Sequence, residues 1–379
     1  MSSRYLAGLF AGTALIVCGS IPAAAIEPDD AAKALAAALA KGSNVEATYD
    51  SAELDGSNIS IEGFSMARKG EADAIRFDEV VIESPTDSAK GVFESPLITF
   101  TGGTLTGESN GTLGEATMTD VTVLDAAKET GSGFGQSILF HTAEATDLKV
   151  SQKDKPGEVT IDRIYVESGN VVENVAQDSK GSVEGITLPA AIFPPDSGFK
   201  PESIGYDKLV IDVTWDGTRD VAAKTMTVRD FTLSIQDGGD LSIEGVVGEL
   251  PDAHTLNDSA AAANVTKTQV HSLSIRYDDN SLAGRVLDFL AKQQNLSRAD
   301  YANQISAALP FLLAALNNPA FQEEVATAVA GFLLDPKSLS IEIAPEAPVS
   351  GDDLIELAKT QPGAIPDKLN ASVTANSPE

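Results

Sequence analysis

The chain is poor in several residue types on which common functions depend. Its 379 residues include one cysteine, one tryptophan and three histidines, with 26 Lys and Arg against 56 Asp and Glu. The resulting formal net charge of −30 disfavours nucleic-acid binding, because phosphates must be neutralised by Lys and Arg side chains. It also disfavours docking on anionic lipid head groups. Hydrophobic residues still make up 42% of the chain, which is enough for a folded core and argues against wholesale disorder.

The N-terminal residues predict export. Arg4 precedes the apolar run Tyr5–Val17, and small residues follow as far as Ala25. This order is typical of a secretory signal peptide, so we expect residues 1–25 to be removed and the protein to be periplasmic or secreted. The alternative, a lipoprotein modified at Cys18, is disfavoured because Val17 is bulky where that site needs a small residue. Cleavage after Ala25 removes the only cysteine, and no later segment is long and apolar enough to predict a transmembrane helix.

The mature chain begins with a predicted helix and continues with a long β segment. Residues 26–44 contain helix formers with Leu35 and Leu39 four positions apart, which predicts a short amphipathic helix. In residues 45–280, Val, Ile and Thr alternate with charged residues between Gly, Asn, Asp and Pro turns. That texture predicts a repetitive antiparallel β domain.

The remaining residues return to helical periodicity. Residues 281–335 are predicted to form a helical insertion of three helices with N-caps at Ser281, Ser297 and Asn318. Residues 336–379 are predicted as a returning strand, a short helix and a tail that frays from Ala371. The insertion therefore lies between two strands and is expected to cap one end of the sheet.

One pattern recurs within the β domain: two alternating apolar residues, a polar doublet, and two more alternating apolar residues. Because strand side chains alternate, the three-residue gap would turn the second half to the other face unless a bulge or bend intervenes at the doublet. The predicted fold is mainly β with an α-helical insertion: a long curved antiparallel sheet, groove-like or sandwich-like, capped by a small helical bundle. The doublets are Asp78–Glu79, Thr119–Asp120, Thr146–Asp147, Asp162–Arg163, Asp207–Lys208, Arg229–Asp230 and His271–Ser272.

No motif in the sequence predicts a catalytic or metal centre. His141, His254 and His271 lie outside nucleophile-elbow and H-E-x-x-H contexts, which favours structural or solvated roles. Gly131–Gly135 lacks the glycine spacing of a phosphate-binding loop, which favours a loop. Asp278–Asn280 lacks the glycine and distal glutamate of an EF-hand and is interpreted as a turn. We therefore predict no catalytic residue, no cofactor and no metal ion, and a protein that is not an enzyme.

The second predicted helix of the insertion is apolar nearly all round. It is interpreted either as the buried centre of the bundle or as an apolar lid that contacts an acyl chain, a membrane surface or a partner protein. The candidate hydrophobic contact residues are Ile305, Leu309, Phe311, Leu312, Leu313 and Leu316.

The doublet strands and two paired segments carry a family resemblance. Gly56–Gly63 and Gly239–Gly245 share a Ser–Ile–Glu–Gly ending, and together with the signal peptide they resemble the AsmA-like and YdgA-like bacterial envelope proteins. The resemblance covers residues 45–277 and implies a repetitive β-rich periplasmic protein, some members being implicated in moving or sensing lipids along a β groove. It implies no catalytic residue.

We therefore expect an exported, non-enzymatic envelope protein that binds a lipid or other hydrophobic ligand along its sheet. Its expected partners are a lipid or another envelope protein, and not nucleic acid. Two alternatives stay open: a structural or protein-interaction module without a small ligand, and a hydrolase that depends on a pair of carboxylates.

Overall fold

The structure is a computed structural model, and it describes residues 26–41, 44–71, 73–129, 137–153, 155–193, 200–251 and 265–378. It confirms the predicted fold class: mainly β, with one large antiparallel sheet and several helices at the C-terminal end. The predicted signal peptide lies outside the described residues. The α-helices of the described residues are α1 Pro28–Ala40, α2 Leu282–Gln293, α3 Arg298–Leu312, α4 Pro319–Leu334, α5 Gly351–Thr360 and α6 Ile365–Leu369.

Within the described residues the sheet has twenty strands: β1–β7 have two to five residues each, whereas β8, β9 and β11–β17 have ten to fifteen. The short N-terminal strands are β1 Val45–Thr48, β2 Ser51–Asp55, β3 Asn58–Glu62, β4 Ser65–Arg68, β5 Ala74–Arg76, β6 Glu79–Ile82 and β7 Thr86–Asp87. The central strands are β8 Phe93–Thr106, β9 Ser109–Val123, β10 Ile138–Leu139, β11 Thr142–Gln152, β12 Glu158–Val172, β13 Val175–Pro189, β14 Lys208–Asp220, β15 Thr225–Ile235, β16 Gly239–Gly248 and β17 Gln269–Asp279. The last strands are β18 Ser338–Ile343, β19 Val349–Ser350 and β20 Ala371–Ala375.

A single row of directly paired apolar residues crosses the whole sheet. Each member is the Cα partner of the next on the neighbouring strand, so all of them lie on the same face. From β2 to β20 the row, named here the apolar row, is Ala52, Ile61, Val80, Phe100, Ala116, Ala145, Ile164, Val183, Val213, Leu233, Leu241, Tyr277, Leu339 and Ala375.

Helix α1 covers the N-terminal end of this face. Leu35 and Leu39, the two leucines that predicted the helix, are both buried against the strands. They join a core with the row residues Ile61 and Val80, which have no exposed surface, and with Phe100. This end of the sheet therefore has two layers, a helix over a sheet, which is how a one-sided apolar sheet is ordinarily buried.

Helix α4 covers the other end of the same face and the sheet edge beside it. The Phe332 ring packs edge-on against the row residue Tyr277, with ring centroids 6.0 Å apart. A Glu324 carboxylate oxygen accepts a hydrogen bond from the Val373 amide of the edge strand β20 at 2.7 Å. The helices α2–α4 lie in sequence between β17 and β18, which pair with each other, so the insertion caps one end of the sheet as expected.

Several polar doublets carry the predicted bulge or bend. The pairing register shifts by one residue at Arg229–Asp230 against both neighbouring strands, and it shifts again at His271. Asp120 and Asp147 instead adopt left-handed backbone conformations, which bend their strands without a register shift. The prediction is wrong at Asp207–Lys208, because β14 only begins at Lys208 and its irregularity comes later, opposite Gly217.

Two further expectations need correction. The segment from Ala371 is not a frayed tail: it forms β20, because Ala371, Val373 and Ala375 extend the apolar alternation and pair with β18. Ser281 does not cap α2 through its hydroxyl. That hydroxyl donates to the Asp237 carbonyl oxygen, and the Asp279 carboxylate accepts from the Ala283 amide at 2.7 Å instead. The caps at Ser297 and Asn318 are confirmed.

Candidate functional site

The central strands carry an apolar face that no described element buries. Between Ile138 and Leu287, the only buried hydrophobic side chains of the described residues are Ile204 and Tyr206, which precede β14. Row members Ile164, Val183 and the other apolar side chains of β11–β17 are partly or largely exposed. We name this side of β11–β17 the open face. Its most central members are Ile164, Val183, Ile186, Ile211, Val213, Trp215, Phe231, Leu233, Leu241, Ile243 and Ile275.

The opposite side of the same strands is polar and internally paired. Arg163 lies between Glu144 and Glu184 on the two neighbouring strands, with N–O distances of 2.9 and 3.3 Å. Arg229 pairs with Asp216 in the same way one hairpin further on. Most charged residues of these strands are thus directed to one side of the sheet, and the open face on the other side is mainly apolar.

The open face is long enough for a hydrocarbon chain. Its uncovered part spans the six strands β11–β16, since α4 packs on Tyr277 of β17, and five inter-strand spacings of roughly 4.8 Å give a width of about 24 Å. One leaflet of a bilayer has a hydrocarbon thickness of about 15 Å, half the full core. An extended acyl chain therefore fits on the open face without reaching either covered end.

Trp215, the only tryptophan of the chain, marks a cavity on the open face. The indole lies over Gly181 of the neighbouring strand, where a Cβ would come within 2.3 Å of the ring, and its Nε1 donates to the Ser179 hydroxyl at 3.1 Å. Beside it is a cavity of about 340 Å³ lined by Phe231, Val228 and other residues of β13–β15. Gly181 is therefore needed for the aromatic surface at this point.

Arg219 lies at one end of this cavity. It is the Cα partner of Met226 and faces the same side as Trp215, four residues away along β14. Its Nη2 donates to the Pro251 carbonyl oxygen at 2.6 Å, whereas its Nε is buried and has no hydrogen-bond partner. Among the described residues of β11–β17, Arg219 is the one cationic side chain on the open face. Sequence reasoning missed it because a single arginine near a strand end carries no motif.

The six candidate contact residues of the insertion do not act as one surface. Leu309 is buried and Ile305 packs against the α2–α3 core, whereas Phe311 is 84% and Leu312 is 64% exposed. Leu313 is half-buried in the turn after α3, and the side chain of Leu316 lies outside the described part. The helix is therefore neither buried all round nor a continuous lid, because only its C-terminal tip, Phe311–Leu312, presents large apolar side chains to solvent.

Within the described residues, neither the histidines nor the acidic motif singled out in the sequence lies beside a group that would form a catalytic site with it. His141 borders a cavity of about 380 Å³, and its Nδ1 lies 3.2 Å from the Ser168 carbonyl oxygen. His271 lies at a register shift of β17. Asp278 pairs with Arg276 at 2.6 Å, and no group of His, Cys, Asp and Glu in the described ranges has the arrangement of a metal site. His254 and Gly131–Gly135 lie outside the described residues.

Among the described carboxyl groups, those with a shifted pKa all have it lowered. For three of them, the main cause of the lowered pKa is a hydrogen bond that the carboxylate accepts from a cationic side chain. The donor is Lys33 for Asp29, Lys128 for Asp125 and Arg298 for Asp288. The Ser350 hydroxyl lowers the pKa of Asp353 in the same way, within the capping box of α5. A general acid needs a raised pKa, so these groups do not favour the hydrolase alternative.

Comparisons with known proteins give little information about this chain. A family model described as "Uncharacterized protein" matches residues 232–376, from β15 to the end of the sheet. No curated protein and no solved structure matches the chain. Within the described ranges, none of the helices combines the length and apolarity that crossing a bilayer requires.

Proposed function

We propose that the protein binds a lipid or another amphiphile with a long hydrocarbon chain against its open face. The observation that carries the proposal is the apolar row: its N-terminal members Ile61, Val80 and Phe100 are buried beneath α1, its other end contacts α4 through Tyr277, and its middle has no described helix over it. A contiguous exposed apolar surface costs solvation free energy unless something covers it. The row is continuous in register across seven strands, so the uncovered part is a built surface and not a scatter of exposed residues.

Two sequence features support the same proposal. The resemblance to the AsmA-like and YdgA-like proteins implies lipid handling along a β groove, and the predicted signal peptide would place the protein in the envelope, where lipids are its neighbours. The net charge of −30 keeps the polar side hydrated and opposes self-association through the apolar side. The proposal therefore includes export to the envelope and a relation to the AsmA-like and YdgA-like proteins.

The test is uptake of a fluorescent anthroyloxy-labelled palmitate by delipidated protein, with two matched variants. Val183→Asp places a carboxylate in the middle of the open face, and Thr187→Asp places one on the polar side of the same strand. We expect saturable uptake that Val183→Asp weakens at least about tenfold, since burying a charge against hydrocarbon is costly, and that Thr187→Asp leaves unchanged. Absence of uptake, or equal loss in both variants, contradicts the proposal.

The exposed tip Phe311–Leu312 favours a second function, contact with a bilayer surface. No charged residue lies between Asp300 and Glu323, so the tip is free of the negative charge that dominates elsewhere. We expect co-sedimentation with zwitterionic phosphatidylcholine vesicles that the double change Phe311→Ser and Leu312→Ser abolishes. Leu334→Ser, an exposed leucine at the C-terminal end of α4, is the matched control and should sediment as the unaltered protein does. Equal sedimentation of the unaltered protein and the Phe311→Ser, Leu312→Ser double variant contradicts this role.

A further inference from the structure

The unpaired guanidinium nitrogen of Arg219 indicates which kind of amphiphile the open face takes. A buried donor without a partner costs free energy, and few such groups persist in folded proteins. Two side-chain atoms in the described part of the chain are in this state, the Ser137 hydroxyl and the Arg219 Nε, and the second belongs to a permanent charge. The Arg219 guanidinium therefore has unused donor capacity beside the cavity.

The two carboxylates in the cavity lining, those of Asp216 and Asp230, do not accept from the Arg219 Nε. Both belong to the polar side of the sheet, since they are Cα partners that alternate with Trp215 and Phe231. The Asp216 carboxylate is held by Arg229, and the Asp230 carboxylate accepts from Thr214 at 3.0 Å and from Thr232 at 2.6 Å. Both acidic groups are thus occupied by partners of their own, and the backbone carbonyl of Pro251 takes only the Nη2 of Arg219.

We propose that Arg219 binds the anionic head group of a single-chain amphiphile whose hydrocarbon chain lies along Val228, Phe231 and Trp215. The inference rests on the proposed function, since it assigns the polarity and orientation of a ligand on the open face. An arginine beside an apolar cavity pairs well with a carboxylate or phosphate oxygen, and its charge acts strongly where water is excluded. The protein as a whole is acidic, so the preference for an anion is local to this one side chain.

The positions of Arg219 and Trp215 also set the direction in which the hydrocarbon chain of the ligand runs. Arg219 and Trp215 are four residues apart on one strand, which is about 13 Å at the usual strand rise. A head group at Arg219 thus places the middle of a long chain, and not its first carbons, beside the indole. Trp215 is the only tryptophan of the chain, so its fluorescence reports on this point alone.

The first experiment titrates delipidated full-length protein with three probes of equal chain length and follows Trp215 emission. The probes are palmitate, hexadecyl phosphate and hexadecanol, and the two anions distinguish a carboxylate from a phosphate head. We expect at least one anion to bind about tenfold or more tighter than the alcohol, as a charge-assisted hydrogen bond allows. Arg219→Gln should remove that difference while the alcohol still binds. Arg229→Gln, which removes the same charge from the polar side, should preserve it.

The outcomes separate the two proposals. Equal binding of all three probes by the unaltered protein overturns the role of Arg219 and leaves the proposed function standing. Failure of all three probes to bind overturns the proposed function and this inference with it. Retention of the anion preference in Arg219→Gln, or its loss in Arg229→Gln, also overturns the role of Arg219.

A second measurement uses the unaltered protein and so does not depend on the folding of a variant. Palmitate carrying bromine at mid-chain should quench Trp215 more strongly than palmitate carrying bromine next to the carboxyl group. Stronger quenching by the bromine next to the carboxyl group, or equal quenching by both, overturns the proposed orientation.

Discussion

The covered N-terminal end of the sheet and its uncovered middle have the same pattern of apolar and polar residues. Both contain the apolar row, and both alternate apolar with polar side chains strand after strand. At the N-terminal end, α1 covers the row and Ile61 has no exposed surface, whereas in the middle Ile164 occupies the same row without a helix over it. The difference shows that apolar patterning alone does not define a core: the covering element decides whether a face stabilises the fold or is free for a ligand.

The largest expected difference between the two regions is in packing energy. Ile61→Ala should lower the free energy of unfolding by about 2–5 kcal/mol, because it empties a closed core. Ile164→Ala, the same change in the same row, should cost only about 1 kcal/mol, since water already reaches that site. Urea unfolding of both variants checks this. Equal losses would mean that Ile164 is covered as fully as Ile61.

Ligand binding should make the open face contribute more to stability at the positions that the ligand covers. At a free palmitate concentration 100 times the dissociation constant, the unaltered protein should gain about 2.7 kcal/mol of stability. The loss caused by Val213→Ala, a change in the same row two residues from Trp215, should then grow because the ligand covers Val213, whereas the loss caused by Ile61→Ala should stay constant. Urea unfolding with and without palmitate measures both effects. A ligand that changes neither variant's loss would place the binding site elsewhere.

The smallest expected effect concerns the attachment of α1 and depends on pH. Burial, together with the hydrogen bond that its hydroxyl donates to Asp29 on α1, raises the pKa of Tyr49 to about 12. The folded protein therefore holds this proton more tightly than the unfolded chain, whose tyrosines ionise near 10. Stability present below pH 10 should be lost between pH 10 and 12, by about 1–2 kcal/mol.

The variant Tyr49→Phe separates this loss from that of other groups. Thermal unfolding measured across the same pH range should show a shallower decline for Tyr49→Phe than for the unaltered protein. A parallel decline in the two proteins would show that Tyr49 does not couple α1 to the sheet.

The fold could be predicted where a local pattern has one structural solution. Leu35 and Leu39 predict the buried side of α1, Ser297 and Asn318 predict helix starts, and the doublet at Arg229–Asp230 predicts a bulge, because each depends only on neighbours in sequence. The strand Ala371–Ala375 was missed because alternation between small residues is weak and is decided by its partner β18.

The site could be predicted only in outline, for a different reason. Alternation predicts that an apolar face exists. Whether that face is buried depends on where helices distant in sequence pack, and no local sequence pattern determines this. The same holds for Phe311 and Leu312, whose exposure depends on where α3 ends against its neighbours. Alternation from Trp215 places Arg219 on the open face, but its role was not predicted because only the pairing of β14 with β15 shows that it lies at the end of the cavity.

Photo-crosslinking tests the central claim most directly, since it maps the ligand on the two regions at once. Delipidated protein is loaded with a palmitate that carries a photoreactive diazirine at mid-chain, irradiated, and analysed by peptide mass spectrometry. We predict adducts in β13–β15, near Trp215 and Phe231, that excess unlabelled palmitate removes. Adducts that concentrate at Phe311–Leu312, that spread evenly over the chain, or that resist competition would contradict the account.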